Sequence, residues 1–377
     1  FSNKMDHWSM GRSLRPLLLF MLVAPSEGDP SPSWSVEPKA SKVLLLAAGR
    51  SGSTFVGEML NQARNSFYLY EPCRSLEGDA GVKRFSGKPN VKRCIELMTR
   101  LMDCSFTQSD SDMLFDDFKA MNKSNLARFY KTGPQGLVSE AHKHDRHEGF
   151  SKACRGASIR AIKEVRVMEG GSEAVEEGVV AQLLTSGVKI LHLLRDPRGV
   201  VHSRLQLWQF CKATGVIQCA PEVCSSYRHT LDAVESVLKK LFAFTGSDQS
   251  ANKHYLRIKY EDVALDPVAE LGRIYGWAGL GQVEPRINQW VYSTTHAATS
   301  DNAFKIQRNA TKVAFAWREG LAPRQLQLAN RECGDVLVRL NYGTAAEVQA
   351  SKSKPLVARF VGTARGGSGG GGAGGGG

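Results

Sequence analysis

The 377-residue chain reads as an α/β protein of three layers, a central parallel sheet with helices on both faces. Three observations carry that reading. Short apolar runs alternate with helical periodicity along the body of the chain. A strand, a tight small-residue loop and a helix follow one another over residues 42–54, and a second strand runs straight into a helix over residues 188–203.

The chain begins at Phe1 rather than Met, so an incomplete N-terminus is expected. Arg12 and Arg15 precede the apolar run 17–24, which is too short to span a bilayer as it stands. A Pro/Ser-rich stretch, 25–38, follows. That order fits a signal h-region or the remnant of a signal anchor leading into a stem; a buried helix is the competing reading.

The first strand of the body is the apolar run Val43 to Leu46, and Phe55, Val56, Met59, Leu60 and Ala63 recur behind it at helical spacing. Between them lie Gly49, Arg50, Ser51, Gly52, Ser53 and Thr54. A small-residue loop entering a helix points unpaired N–H groups outward, and the helix dipole adds about half a positive charge, so an anion is held there without a metal. Arg50 adds a planar fork of donors suited to phosphate or sulfate. The junction is P-loop-like, with two departures from G-x-x-x-x-G-K-[ST]: Ser53 stands where Lys belongs and Ala47 where the first Gly belongs. By itself such a loop is equally well an ordinary turn.

Residues 66–71 read as a second strand, 91–130 as mainly helical with Cys94, Leu97, Met98 and Leu101 at helical spacing, and 158–167 as a third strand. A helix is expected over 173–186, a fourth strand over 188–194 and helices over 200–210 and 227–244. A strand over 255–260 and helices over 267–277 and 323–340 complete the body. Ligands of such sheets bind at the carboxyl ends of the strands. That rule selects Arg195-Asp196-Pro197-Arg198 as a second anion loop. Arg195 leaves the end of the fourth strand, Pro197 suits a first helical turn, and Ser203 lies about two turns on, so Arg195 and Ser203 could reach one phosphate. Asp196 would cap the helix or orient an arginine; an Asp-Pro that simply starts a helix is the alternative.

The net charge of +12 points to an anionic partner, either a polyanionic glycan or a phosphorylated cofactor. Nucleic acid is not expected, because the basic residues are dispersed and no recognised binding module organises them. Asn122 and Asn309 open N-glycosylation patterns, and the eight cysteines are even in number. A bridge among Cys211, Cys219 and Cys224 is expected from their closeness. These features lean towards an oxidising lumen. With no C-x-x-C pair and with His142, His144 and His147 in a charged segment read as a solvated loop, no metal is expected. The Gly-rich tail, 346–377, is expected to be flexible.

Taken together, Arg50 to Phe55 and Leu194 to Ser203 resemble the two phosphate-holding segments of the sulfotransferases that use 3′-phosphoadenosine-5′-phosphosulfate (PAPS). More narrowly, they resemble those of the Golgi carbohydrate 6-O-sulfotransferases acting on galactose, N-acetylglucosamine or N-acetylgalactosamine. Phe67 to Pro72, Arg257 to Asp262, Phe315 to Glu319 and Cys333 to Tyr342 resemble further segments of that family in the expected order, so the likeness spans about residues 42–343. It implies a sulfotransferase domain over 41–345 that moves a sulfuryl group from PAPS to a sugar hydroxyl of chondroitin, keratan or N-acetylglucosamine-bearing chains. It also implies a single-pass type II anchor in the Golgi membrane with the catalytic domain lumenal. The PAPS site is then Gly49, Arg50, Ser51, Gly52, Ser53, Thr54 and Phe55 with Arg195, Asp196, Pro197, Arg198 and Ser203. The insert 78–148 and Cys73-Arg74 depart from the pattern, which bears on the acceptor more than on the reaction. A P-loop kinase or hydrolase, or an inactive glycan-binding relative, are the alternatives.

Glu71 is the expected catalytic base, since it ends a strand taken to lie beside the loop-bearing strand; the alternative is that it pairs with Arg50 or Arg74 and only orders the loop. Arg50 is the expected charge on the leaving phosphate. Lys163 is a further candidate for contact with donor or acceptor. Glu261 and Asp262 are expected to order a turn, and Trp277, Trp290 and Trp317 to lie in the core or stack on sugars.

Overall fold

The computed structural model describes residues 40–77, 91–122, 146–169, 176–207, 211, 215–242, 253–298 and 306–343, all within one compact unit, Lys39–Gly377. The readings made for 1–39, for His142 and His144, for the Gly-rich tail and for the sequon residues Lys123 and Ser124 lie outside them.

Five strands form one parallel sheet: β1 Ser41–Ala47, β2 Ser66–Tyr70, β3 Ile159–Glu164, β4 Val188–Leu194 and β5 Tyr255–Lys259, in the order β2-β3-β1-β4-β5. β1 is buried on both sides because its apolar residues face two separate cores, Leu44 and Leu46 one and Val43, Leu45 and Ala47 the other. The first core is filled by α2 Val91–Asp103, α6 Glu177–Thr185 and α8 Gly215–Phe242; the second by α1 Ser53–Asn61, α9 Tyr260–Leu265, α10 Pro267–Ala278 and α11 Pro285–Thr295. The three-layer α/β expectation therefore holds.

The remaining elements are a 3₁₀ turn Pro72–Glu77, α3 Gln108–Asn122, α4 Arg146–Arg155, α5 Arg166–Glu169, α7 Pro197–Leu205, α12 Ala310–Phe315, α13 Trp317–Gly320, α14 Pro323–Glu332 and α15 Gly334–Arg339. Several differ from expectation. Arg146 to Glu148, read as loop, begin α4, where His147 meets the Ser111 hydroxyl at 3.0 Å and the Phe106 ring edge-on. The helix expected over 227–244 starts earlier, at Gly215, and carries Pro221. The single helix expected over 323–340 breaks at Cys333, which is tied to Cys224.

One correction bears on the site. β2 does not lie beside β1; β3 stands between them, so Glu71 and the β1 loop are two strands apart. β1 leads off towards β2 and β4 towards β5, and the crevice between two such diverging connections, at the carboxyl ends of β1 and β4, is where sheets of this kind hold ligands.

All eight cysteines are paired: Cys73–Cys94, Cys104–Cys154, Cys211–Cys219 and Cys224–Cys333. The 211–219 bridge meets the expectation of a bridge among Cys211, Cys219 and Cys224, while Cys224 pairs with the distant Cys333. Among the described residues no helix is long and apolar enough to cross a membrane.

Candidate anion and catalytic site

The loop after β1 turns twice through left-handed backbone, at Arg50 (φ 73°) and Gly52 (φ 95°). Gly52 caps α1 without a side-chain acceptor, and the place its Cβ would occupy is taken by the Tyr260 ring, so both backbone angle and space demand glycine. Arg50 pays the usual penalty for a side chain in this region, about 1 kcal/mol or more.

The second loop closes on the first. Arg195 Nη1 donates to the Arg50 carbonyl at 3.0 Å and Nη2 to the Val313 carbonyl at 2.7 Å, while its guanidinium lies 4.9 Å over the Tyr260 ring. Arg50 Nε donates to Ser203 Oγ at 3.2 Å, and Arg204 donates from Nε and Nη2 to the Gly49 carbonyl at 3.3 and 3.2 Å. Thus Arg195 and Ser203, expected to share a phosphate, both meet Arg50. The outcome is a concentrated positive field. Burial, then Arg195 and Arg308 and more weakly Arg204, push the Arg50 guanidinium down to about 10, with Tyr70 opposing.

Asp196 caps α7, its Oδ1 accepting from the Arg198 N–H at 2.9 Å with Pro197 at the first helical position. Arg198, expected as a phosphate ligand, has its donors on protein groups. Its Nε and Nη2 grip Asp196 at 2.9 and 2.7 Å, Nη1 reaches Asn330, Nη2 also reaches the Tyr342 carbonyl, and the plane lies 4.3 Å from the Trp317 ring. Fully buried, Arg198 fastens the C-terminal helices to the loop. Glu261 braces the same loop, accepting from the Asp196 N–H and the Tyr342 hydroxyl, both at 3.0 Å, instead of ordering only its own turn. Burial, then Asp196, raises it to about 7, with Arg195 opposing.

Glu71 sits just past β2 in left-handed backbone (φ 49°), its N–H on the Lys163 carbonyl at 2.7 Å. Its carboxylate is ion-paired with Lys163 and Arg166, not with Arg50 or Arg74. Burial alone would raise it, but Lys163 and then Arg166 outweigh burial and hold it at about 2. Lys163, 2% exposed, lies under the Tyr70 ring at 4.1 Å, and Tyr70 hydrogen-bonds Thr54 at the start of α1. Lys163 and Tyr70, on β3 and β2, thus link Glu71 to the anion loop.

Phe55 stacks on Trp290 at 6.0 Å, Trp277 packs under Lys189, and Trp317 is core. Asn122 ends α3, and Asn309 is exposed at the cap of α12. Cys73, Cys94 and Glu164 are the one grouping of metal-ligand types within reach of one another among the described residues, and the two sulfurs are bonded together.

Sequence reasoning missed Arg166, Arg204, Arg308, Tyr70 and Tyr260. Arg204 adjoins Ser203 and could have been found by extending α7 one residue. Arg308 comes in from the far end of the chain with no local pattern to mark it.

Within the two loops, Ser51 Oγ and Arg195 Nε are buried donors without a partner among the described residues, one in each loop. Orphaned donors cost about 1–3 kcal/mol each unless a ligand accepts from them. With Gly52 shaped to bring backbone close, the residues present fit a ligand carrying phosphates at two places.

A family model described as sulfotransferase domain matches residues 40–337. Human carbohydrate sulfotransferase 1 is 26% identical over 367 residues, covering 87% of this chain and 85% of that protein. Rat carbohydrate sulfotransferase 3 is 26% identical over 349 residues, covering 83% and 70%. Among solved structures, a mouse sulfotransferase complexed with PAP aligns at TM-score 0.39 and 12% identity over 84% of this chain and 89% of that one. The sulfotransferase domain from the curacin biosynthetic pathway aligns at 0.42 and 13% over 81% and 99%. The fold stands on the strand order given above.

Proposed function

The chain belongs to the sulfotransferase domain family, and from that premise we propose that it sulfates the 6-hydroxyl of a galactose or N-acetylhexosamine in a glycan. It is a sulfotransferase with PAPS as co-substrate, and its acceptor is a glycan. PAPS supplies the sulfuryl group. The nucleotide kinase alternative falls with the family match.

The convergence of Arg195 and Ser203 on Arg50 carries the reading. Backbone N–H groups at the start of α1, Ser51 Oγ and Arg50 would hold the 5′ end of the donor, and Arg195, Ser203 and the first turn of α7 the 3′-phosphate. Arg50 then supplies fixed charge where the leaving phosphate becomes more negative. Glu71 accepts the hydroxyl proton. Held at about 2, it is a weak base at neutral pH, so the proton moves late, after the attacking oxygen has bonded to sulfur and become acidic. Lys163, on the same carboxylate, receives the proton's charge change and steadies the base.

Residues 1–40 as anchor and stem, 41–345 as lumenal catalytic domain and a Golgi membrane placement belong to the same proposal. Four disulfides support an oxidising compartment.

The test is transfer of radiolabelled sulfate from PAPS to chondroitin, desulfated keratan and N-acetylglucosamine-terminated oligosaccharides. Label is expected in at least one with the wild type and is lost by about 10²-fold or more with Arg50→Ala. Product analysis placing sulfate at another carbon defeats the 6-O assignment. Glu71→Gln with full kcat removes Glu71 as base.

A further inference from the structure

Away from the crevice, α11 presents an aromatic pair to solvent. Tyr292 is 58% exposed, and His296, four residues on, stacks on it at 4.0 Å with its Nδ1 fixed by the Tyr292 carbonyl at 2.9 Å. An exposed tyrosine ring backed by a stacked imidazole is a flat apolar surface of the kind that takes the C–H face of a pyranose.

His296 is bridged antiparallel to Asn309, which brings the two side chains to the same side at about 5 Å between Cβ atoms. Asn309 opens the pattern Asn-Ala-Thr. Its neighbour Arg308 lies within electrostatic reach of Tyr260, which favours its charge, and of Arg195, which opposes it, so in extended backbone Asn309 turns outward. Its Oδ1 accepts from the Lys312 N–H at 2.8 Å, which orients the amide and leaves Nδ2, the atom that carries a sugar, to solvent. The Thr311 hydroxyl is on the Ala264 carbonyl at 2.9 Å in the folded chain, so attachment at this sequon would precede folding.

We propose that Asn309 carries an N-linked glycan whose first N-acetylglucosamine packs on the Tyr292–His296 pair, a built-in saccharide platform. The attachment forms an Nδ2–C1 bond as the C1–oxygen bond of a polyprenyl-diphosphate-linked oligosaccharide breaks; the diphosphate leaves and the amide loses one proton. The proposal rests on the lumenal placement above and on no feature of the transfer reaction.

The test is a double-mutant cycle on the full chain expressed through a mammalian secretory pathway. Asn309→Asp removes the sugar and keeps a good helix cap, and Tyr292→Ala removes a half-exposed ring together with its stacking on His296. Mass spectrometry of glycopeptides should find Asn309 occupied, and wild type should melt about 2 °C above Asn309→Asp, a difference that disappears in the Tyr292→Ala background. Wild type trimmed to a single N-acetylglucosamine should keep the difference. Secreted chain with Asn309 bare overturns the proposal while the lumenal reading stands; chain confined to the cytosol overturns both. Occupancy with equal effects of Asn309→Asp in the two backgrounds overturns the platform.

Discussion

The Arg50 carbonyl accepts a hydrogen bond from the Arg195 guanidinium at 3.0 Å, so the two anion loops are joined to one another by the protein itself. Arg195 also holds the Val313 carbonyl at 2.7 Å, which makes one side chain the link between β1, β4 and the C-terminal segment.

Arg195→Lys keeps the charge but cannot serve both carbonyls and a phosphate with one ammonium. PAP affinity by calorimetry should fall about 10–100-fold, as expected from losing hydrogen bonds to a charged group worth about 1.5–3 kcal/mol. Unchanged affinity would mean that the loops are held by other contacts.

Glu71→Gln should destabilise as well as slow the enzyme, because it leaves Lys163 and Arg166 buried without their carboxylate; breaking such a pair costs about 3–5 kcal/mol. The pH dependence has a definite sign. Glu71 is held at about 2 against 4.5 unfolded, so the unfolded chain binds the extra proton between those values. The stabilisation is complete above about pH 4.5 and is lost as pH falls towards 2. Thermal melts from pH 6 to 3 should show a steep loss in wild type and a shallower one in Glu71→Gln.

Glu261 behaves oppositely. Its value, raised to about 7, means the folded state binds the extra proton between about pH 4.5 and 7, so this group favours folding at low pH and ceases to as pH rises through 7. Glu261→Gln, which keeps an acceptor for the Asp196 N–H, should flatten the melting profile between pH 5 and 8. A slope identical to wild type would assign the dependence to other groups.

The bridges differ in the chain they close. Cys224–Cys333 spans 109 residues and Cys211–Cys219 only 8, so paired Cys→Ala variants should lose about 4–5 kcal/mol and about 2–3 kcal/mol respectively in the chain-entropy account. Denaturant midpoints check the order. A reversed order would show that reduced-chain structure, not loop length, governs.

What the amino-acid sequence determined by itself was local. Apolar runs marked all five strands, the Gly52 turn and the Asp196-Pro197 cap marked the two loops, and the order of the matching segments carried the sulfotransferase resemblance, because each depends on residues within a few positions of one another. The tertiary structure decided what lies side by side. Strand order cannot be read from alternation, since β1 has the same buried faces whichever neighbour pairs with it; only the packed sheet puts β3 between β1 and β2 and so gives Glu71 the partners Lys163 and Arg166. The same holds for Arg198. Its position in Arg-Asp-Pro-Arg suits a phosphate as well as it suits Asp196, and only the folded chain brings Asn330 of α14 and the Tyr342 carbonyl beyond α15 to its donors beside Asp196. Charge and hydrogen-bonding capacity are properties of a residue, whereas their direction is a property of the fold.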